Sequence, residues 1–211
     1  VVENPGVFTT AEDTAIVIPV AALLTNGDYD PDGDAVWVES VTEWGSYGGD
    51  AVLDDKGTAD RSDDVVVFTP DANFNGNAYF YYVLEDVFGA QDLNTYAYVT
   101  VTPVNDPVTA NDDVIARLFP ESGTQTITRA QLLGNDVDVD SDAAITGVVA
   151  GANVSSIVLN ANQSVTVTYT SGAATFTYTL ADGTFSDTAT VTLNSGPRQT
   201  GTQSALNLSE D

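Results

Sequence analysis

The chain carries one pattern twice, and this repetition constrains its fold more than any other feature. Leu23-Leu24-Thr25-Asn26 precedes Asp28, Asp30, Asp32 and Asp34, and 109 residues later Leu132-Leu133-Gly134-Asn135 precedes Asp136, Asp138, Asp140 and Asp142. A second landmark, Phe80-Tyr81-Tyr82-Val83-Leu84-Glu85-Asp86, matches Phe176-Thr177-Tyr178-Thr179-Leu180-Ala181-Asp182 at an offset of 96. The first copy therefore holds thirteen more residues between the landmarks. Gly27 is one of them, and most of the rest fall in the polar stretch 45–64, which reads as a loop inserted in the first copy.

Each copy consists of short alternating apolar segments separated by turn residues, the pattern of an all-β chain of two tandem Greek-key β-sandwich domains. Val, Thr and Ile make up 61 of the 211 residues, a β-branched load that agrees with strands. The spacing predicts strands near 14–19, 35–42, 65–69, 78–85 and 94–103. In the second copy they fall near 124–128, 145–150, 155–159, 164–170, 174–181 and 187–194. Each Leu pair reads as a single helical turn, and Asn75-Gly76 as a tight turn. The expected division is a first domain over 1–104, an acidic linker over 105–113 and a shorter domain over 114–194, with the boundary at Pro103-Val104-Asn105-Asp106-Pro107. Residues 195–211 read as a polar tail or the start of a further unit. The beginning, VVENPGVFTTAEDT, has neither an initiator Met nor a basic region, so the chain reads as a piece of something longer.

Composition removes much chemistry. Cys, Met and His are absent, which excludes thiol and imidazole catalysis, disulfides and thiolate or imidazole metal sites. Oxygen ligands remain, and these favour Ca²⁺ or Mg²⁺. Thirty-one acidic residues against five basic ones give a net charge of −26, so nucleic acid is not expected as a partner. Apolar runs far shorter than ~18 residues argue against membrane insertion. No phosphate loop, nucleophile elbow or distinctive carboxylate pair appears, so no enzyme is expected.

The sharpest chemical signal is the stretch of Asp28, Asp30, Asp32 and Asp34 around Gly33. Alternate carboxylates about a glycine turn can converge on one hard cation, and the repulsion among them falls when one binds. With Glu39 the stretch also satisfies the EF-hand pattern, but Val36-Trp37-Val38 alternates as a strand, so an EF-hand is rejected. Asp136, Asp138, Asp140 and Asp142 repeat the spacing with Ser141 in place of Gly33. The plain alternative in both copies is a solvated acidic turn.

A second signal is aromatic. The two-residue period points Phe80, Tyr82 and Leu84 inward, and leaves Tyr79, Tyr81 and Val83 outward. The next strand adds outward Tyr96 and Tyr98, where the second copy has Thr188 and Thr190. Trp37 is also expected outward, on the opposite sheet. The four tyrosines either form a ligand-binding surface suited to sugar stacking or are covered by the 45–64 stretch.

Taken together, Ala11-Glu12-Asp13-Thr14, the segment 22–26, Asp30-Pro31-Asp32-Gly33-Asp34, Phe68-Thr69-Pro70-Asp71-Ala72-Asn73-Phe74-Asn75-Gly76, the strand 80–86 and Val104-Asn105-Asp106 resemble the tandem cadherin-like, immunoglobulin-like repeats of large bacterial surface adhesins of the RTX type. The second copy keeps the Leu pair, the aspartate run and the aromatic strand, but Glu121-Ser122-Gly123 replaces Glu-Asp-Thr and the Asn-Phe-x-Gly turn is missing. The resemblance implies secretion to the bacterial surface and bound calcium. It also implies a role in spacing or presenting adhesive domains, with neighbouring repeats of the same chain as partners, and a monomeric state. By the same likeness Glu12, Glu85, Asp86, Asn105 and Asp106, with Asp138 or Asp140, would take part in calcium binding at the junction. The alternative function is a ligand-binding module for a glycan or protein, using Tyr79, Tyr81, Tyr96 and Tyr98 or the 45–64 stretch.

Overall fold

Alternation decides which face of each strand is buried, and the strand pairing follows from it. The computed structural model describes residues 7–24, 30, 33–119, 121–140 and 142–194; Asp28, Asp32 and the tail 195–211 lie outside them. The chain divides into two compact units, Val1–Val104 and Asn105–Asp211. Both are β-sandwiches.

In the first unit, β1 (Val7–Ala11), β2 (Ile16–Pro19), the turn of helix α1 (Val20–Leu24), β3 (Val36–Tyr47), β4 (Gly49–Asp54), β5 (Val65–Pro70), β6 (Gly76–Asp86) and β7 (Gln91–Thr102) follow in order. They form two sheets, β1-β7-β6-β3 and β2-β5-β4. The first strand pairs parallel with the last, Val7 opposite Tyr98. The core takes Ile18, Val66 and Phe68 from one sheet and Phe80, Tyr82, Ala97 and Val99 from the other, with Leu23 of α1. Phe68 and Phe80 stack across the layers at 6.0 Å, while Ala78 and Ala97 supply the small positions that let large rings interdigitate.

The second unit repeats this plan with β8 (Asp113–Ala116), β9 (Gly123–Ile127), α2 (Arg129–Leu132), β10 (Ala144–Ala150), β11 (Val154–Leu159), β12 (Val165–Tyr169), β13 (Ala174–Ala181) and β14 (Ser186–Asn194). Its sheets are β10-β13-β14-β8 and β11-β12-β9. Phe176, Tyr178 and Leu180 of β13 bury against Val165, Val167 and Tyr169 of β12. The outward positions of β9 and β12 carry threonines that bond across the strands, Thr124 with Thr168 at 2.9 Å and Thr126 with Thr166 at 3.0 Å. Thr128 and Gln131 close a capping box at the start of α2.

Four expectations change. The stretch 45–64 is not all loop: it supplies the end of β3 and the whole of β4, which pairs with β5 from Gly49 opposite Pro70 to Asp54 opposite Val65. Only 55–64 forms the connection. Val83 is buried rather than outward, because the ladder slips between Tyr82 and Leu84, and such an irregularity breaks the period of two. Trp37 sits on β3, in the same sheet as the tyrosine strands rather than the opposite one, because β3 pairs with β6. Residues 105–113 are built into the second unit: Val108 joins its core, Thr109 bridges to Val137, and Asp113 opens β8.

Candidate functional site

Acidic side chains gather in several places, and their partners differ. In the first unit, Glu12 follows β1 and is buried. One of its carboxylate oxygens accepts from the Val104 amide and the other from Asn75 Nδ2 at 3.3 Å. Asp13, at a positive φ of 55°, accepts from the Asn73 amide at 3.0 Å. The Glu-Asp-Thr and Asn-Phe-x-Gly motifs thus meet as one cluster. Asp86 Oδ1 accepts from the amides of Phe88 (2.8 Å) and Ala90 (2.9 Å), closing the β6–β7 turn, and Glu85 accepts from Gln91 at 2.6 Å. Of the aspartate loop, Asp30 accepts from the Asp34 amide at 3.4 Å, and Gly33 holds a φ of +87° that few other residues adopt.

In the second unit each aspartate of the run takes a different environment. Asp136 Oδ1 accepts from the Asn111 amide at 2.7 Å and its Oδ2 from the Tyr178 hydroxyl at 2.7 Å. Asp138 Oδ2 accepts from the Ala143 amide at 2.6 Å, while its Oδ1 is shut off from solvent with no hydrogen-bond partner among the described residues. Asp140 accepts from the Asp106 amide at 2.8 Å, and Asp142 is exposed. Asn105 donates to Asp182 at 2.9 Å. The Phe185 amide foremost, with desolvation opposing and Asn105 and the Thr184 amide assisting, holds the Asp182 carboxyl below its ordinary range. Asp136 and Asp138 line a cavity of about 250 Å³ together with Arg129, Leu133, Ala143 and Leu180. Paired carboxylates with an orphaned buried oxygen fit a hard cation coordinated by oxygens.

Two participants were invisible to spacing. Asp113 is 8% exposed and its Oδ2 has no hydrogen-bond partner among the described residues. Burial foremost, and then the charge of Asp136, push its carboxyl up to about 6, while a hydrogen bond from Tyr178 opposes the shift. The Tyr178 hydroxyl has one hydrogen, yet Asp136 Oδ2 and the Leu132 carbonyl (3.0 Å) both stand within its reach. Nothing in the motif Asn111-Asp112-Asp113 distinguishes the buried aspartate from its neighbour.

The tyrosines stand where alternation places them. Tyr79 faces Tyr98 and Tyr81 faces Tyr96 across β6 and β7, and Tyr47 of β3 pairs with Tyr79. The rings form one connected patch: Tyr47 stacks on Tyr79 at 5.8 Å, Tyr79 meets Tyr81 edge-on at 5.8 Å, and Tyr96 meets Tyr98 edge-on at 5.3 Å. Tyr47 is 56% exposed and Tyr98 39%. The 45–64 stretch therefore adds a ring to the patch, and its loop 55–64 joins strands of the other sheet.

Two tandem sandwiches, each with its first strand parallel to its last, define an immunoglobulin-like class. The Cadherin-like domain family matches residues 1–102 and again 104–195. The chain belongs to that family, as two consecutive copies. No curated protein matches the sequence. Among solved structures, the D00-D0 domain of intimin is 14% identical, with 90% of this chain and 96% of that one covered and a TM-score of 0.35. The human desmocollin-1 ectodomain is 12% identical, with 92% and 42% covered and a TM-score of 0.34. An endo-fucoidan hydrolase of glycoside hydrolase family 107 is 18% identical, with a TM-score of 0.34. This chain covers 92% of its own length in that match and spans 28% of the hydrolase chain. At these scores none of the three bears on function.

Proposed function

We propose that the chain is a calcium-stabilised structural segment of a large secreted bacterial surface adhesin, spacing or presenting adhesive domains. The observation that carries this reading is the tandem match to one cadherin-like family over adjacent stretches. Cadherin-like domains are typically extracellular and non-enzymatic, and among the described residues no helix is long and apolar enough to cross a membrane. Calcium is supported by the Asp138 oxygen, which has no hydrogen-bond partner among the described residues and lines one cavity with Asp136, and by the repeated aspartate run. An ion bound only by the folded state raises the melting temperature through mass action, and magnesium does less because it dehydrates reluctantly. Thermal melts in chelator and in millimolar calcium are the test. A clear upward shift in calcium, reduced in Asp138→Asn, is expected; identical melts overturn the calcium reading.

A second reading rests on the tyrosine patch, which keeps exposed rings on a sheet face. We infer that it would bind a neutral polysaccharide, since an acidic one would be repelled by a chain of charge −26. Glycan-array binding lost in a Tyr79→Ala, Tyr98→Ala double variant supports it, and an array without hits discards it.

A further inference from the structure

The β4–β5 connection of the first unit buries a carboxylate that the aspartate runs do not explain. The β4–β5 ladder ends with Asp54 opposite Val65, so the next register position sets Asp55 across from Asp64. Asp64 is 4% exposed, and its Oδ1 has no hydrogen-bond partner among the described residues. A buried carboxylate without a donor or a cation is strongly disfavoured. The residue is also held in place, because its main-chain carbonyl accepts from the Val20 amide at 3.1 Å.

The surroundings add negative charge. Burial raises the Asp64 carboxyl above its ordinary range, the charges of Asp63 and Asp55 raise it further, and Asp60 adds to them against the opposing charge of Arg61. That guanidinium is engaged by Glu39 and lies over the Trp37 ring at 4.8 Å. Thr58 gathers the loop inward. Its amide donates to the Asp55 carbonyl at 3.0 Å, and its hydroxyl lies 3.1 Å from Asp63 Oδ1 and 3.3 Å from the Asp60 carbonyl.

The second unit supplies an internal control. Its ladder ends with Leu159 opposite Val165, so Asn160 and Ser164 occupy the positions of Asp55 and Asp64. Ser164 is as buried as Asp64, but there the pair is neutral and satisfied. Asn160 Nδ2 donates to Ser164 Oγ at 2.9 Å, and Ser164 Oγ donates to Asn162 Oδ1 at 2.7 Å. The same place in the same fold is closed once by neutral hydrogen bonds and once by opposed carboxylates.

We propose that the β4–β5 loop binds one divalent cation, calcium, between the opposed carboxylates of Asp64 and Asp55. A cation replaces the missing donors, and calcium's large and irregular oxygen shell suits a loop better than the strict octahedron of magnesium. Neither ligand belongs to the aspartate runs at 28–34 and 136–142.

The test is calcium stoichiometry of the full chain by equilibrium dialysis at pH 7.4, with melts in chelator and in millimolar calcium. The variant Asp55→Asn, Asp64→Ser installs the neutral pair of the second unit. It is expected to bind one calcium fewer than the parent, to melt higher than the parent in chelator, and to gain less from calcium. An unchanged stoichiometry and an unchanged calcium shift overturn the proposal. Should that variant fail to fold, Asp55→Asn, at an exposed position, reads the same loss. If Asp138→Asn loses no ion while the loop variant loses one, the loop site stands and the aspartate-run reading fails. A parent chain that binds no calcium overturns both.

Discussion

Replacing Asp113 by Asn should stabilise the second unit at neutral pH. Asp113 is nine-tenths buried and its carboxyl is raised from 3.8 to about 6, with desolvation the largest cause and Asp136 the next. A carboxyl whose pKa is higher in the folded than in the unfolded state binds its proton more tightly when folded. Stability is therefore full below about pH 3.8 and falls as pH rises through about 6. Two units of difference correspond to about 3 kcal/mol lost above that window. Asn has the same shape, carries no charge to desolvate, and brings an N–H₂ that can donate toward Asp136. Allowing for imperfect geometry, Asp113→Asn should gain about 1–3 kcal/mol at pH 7.5. That gain corresponds to roughly 5–15 °C in the melting of a unit of this size. The assay is calorimetric melting of parent and variant in chelator from pH 3.5 to 8, following the transition of the second unit. The two proteins should converge at the acid end and separate above pH 6. A variant less stable than the parent at pH 7.5, or an advantage equally large at pH 3.5, would show that Asp113 is not a buried, strained charge.

Arg117 is buried with no carboxylate partner among the described residues: Nε donates to the Leu193 carbonyl at 3.1 Å, the other nitrogens to the carbonyls of Thr170 and Gly172, and the guanidinium lies 4.6 Å from the Tyr169 ring. Arg117→Met should cost roughly 2–4 kcal/mol in urea unfolding by leaving those carbonyls unmet, and Arg117→Lys should recover only part, lacking the planar fork. A Cβ at Gly49 would stand 2.4 Å from the Thr69 carbonyl oxygen and 2.8 Å from Pro70 Cα. Gly49→Ala should therefore cost roughly 2 kcal/mol or more in the melting of the first unit, because backbone must move. Glu12→Gln should cost about 1–3 kcal/mol in chelator, since the Gln amide sets a donor against either the Val104 amide or Asn75 Nδ2; an unchanged melt would refute that bonding pattern.

Alternation and repetition settle what is local. The offset between copies, the aromatic strands of β6 and β13, the single helical turns at the Leu pairs and the outward Tyr79, Tyr81, Tyr96 and Tyr98 could all be read along the chain, because side chains at i and i+2 share a face whatever the strand pairs with. The candidate aspartates could likewise be named from spacing alone, although spacing does not say which of them is spent on a turn, as Asp86 is on the amides of Phe88 and Ala90. The rest depends on residues distant in sequence. The strands β1 and β8 are short and pair parallel with the last strand of their unit, and β4 becomes a strand through β5. A slip at Tyr82 and Leu84 turns Val83 inward against the period. Whether a carboxylate is solvated or buried is decided by what covers it, and this separates Asp113 from Asp112. The same holds for Asp64, which resembles every other aspartate of its loop in sequence. Only the strand register sets it across from Asp55, at the position that Ser164 fills with a neutral hydrogen bond in the second unit.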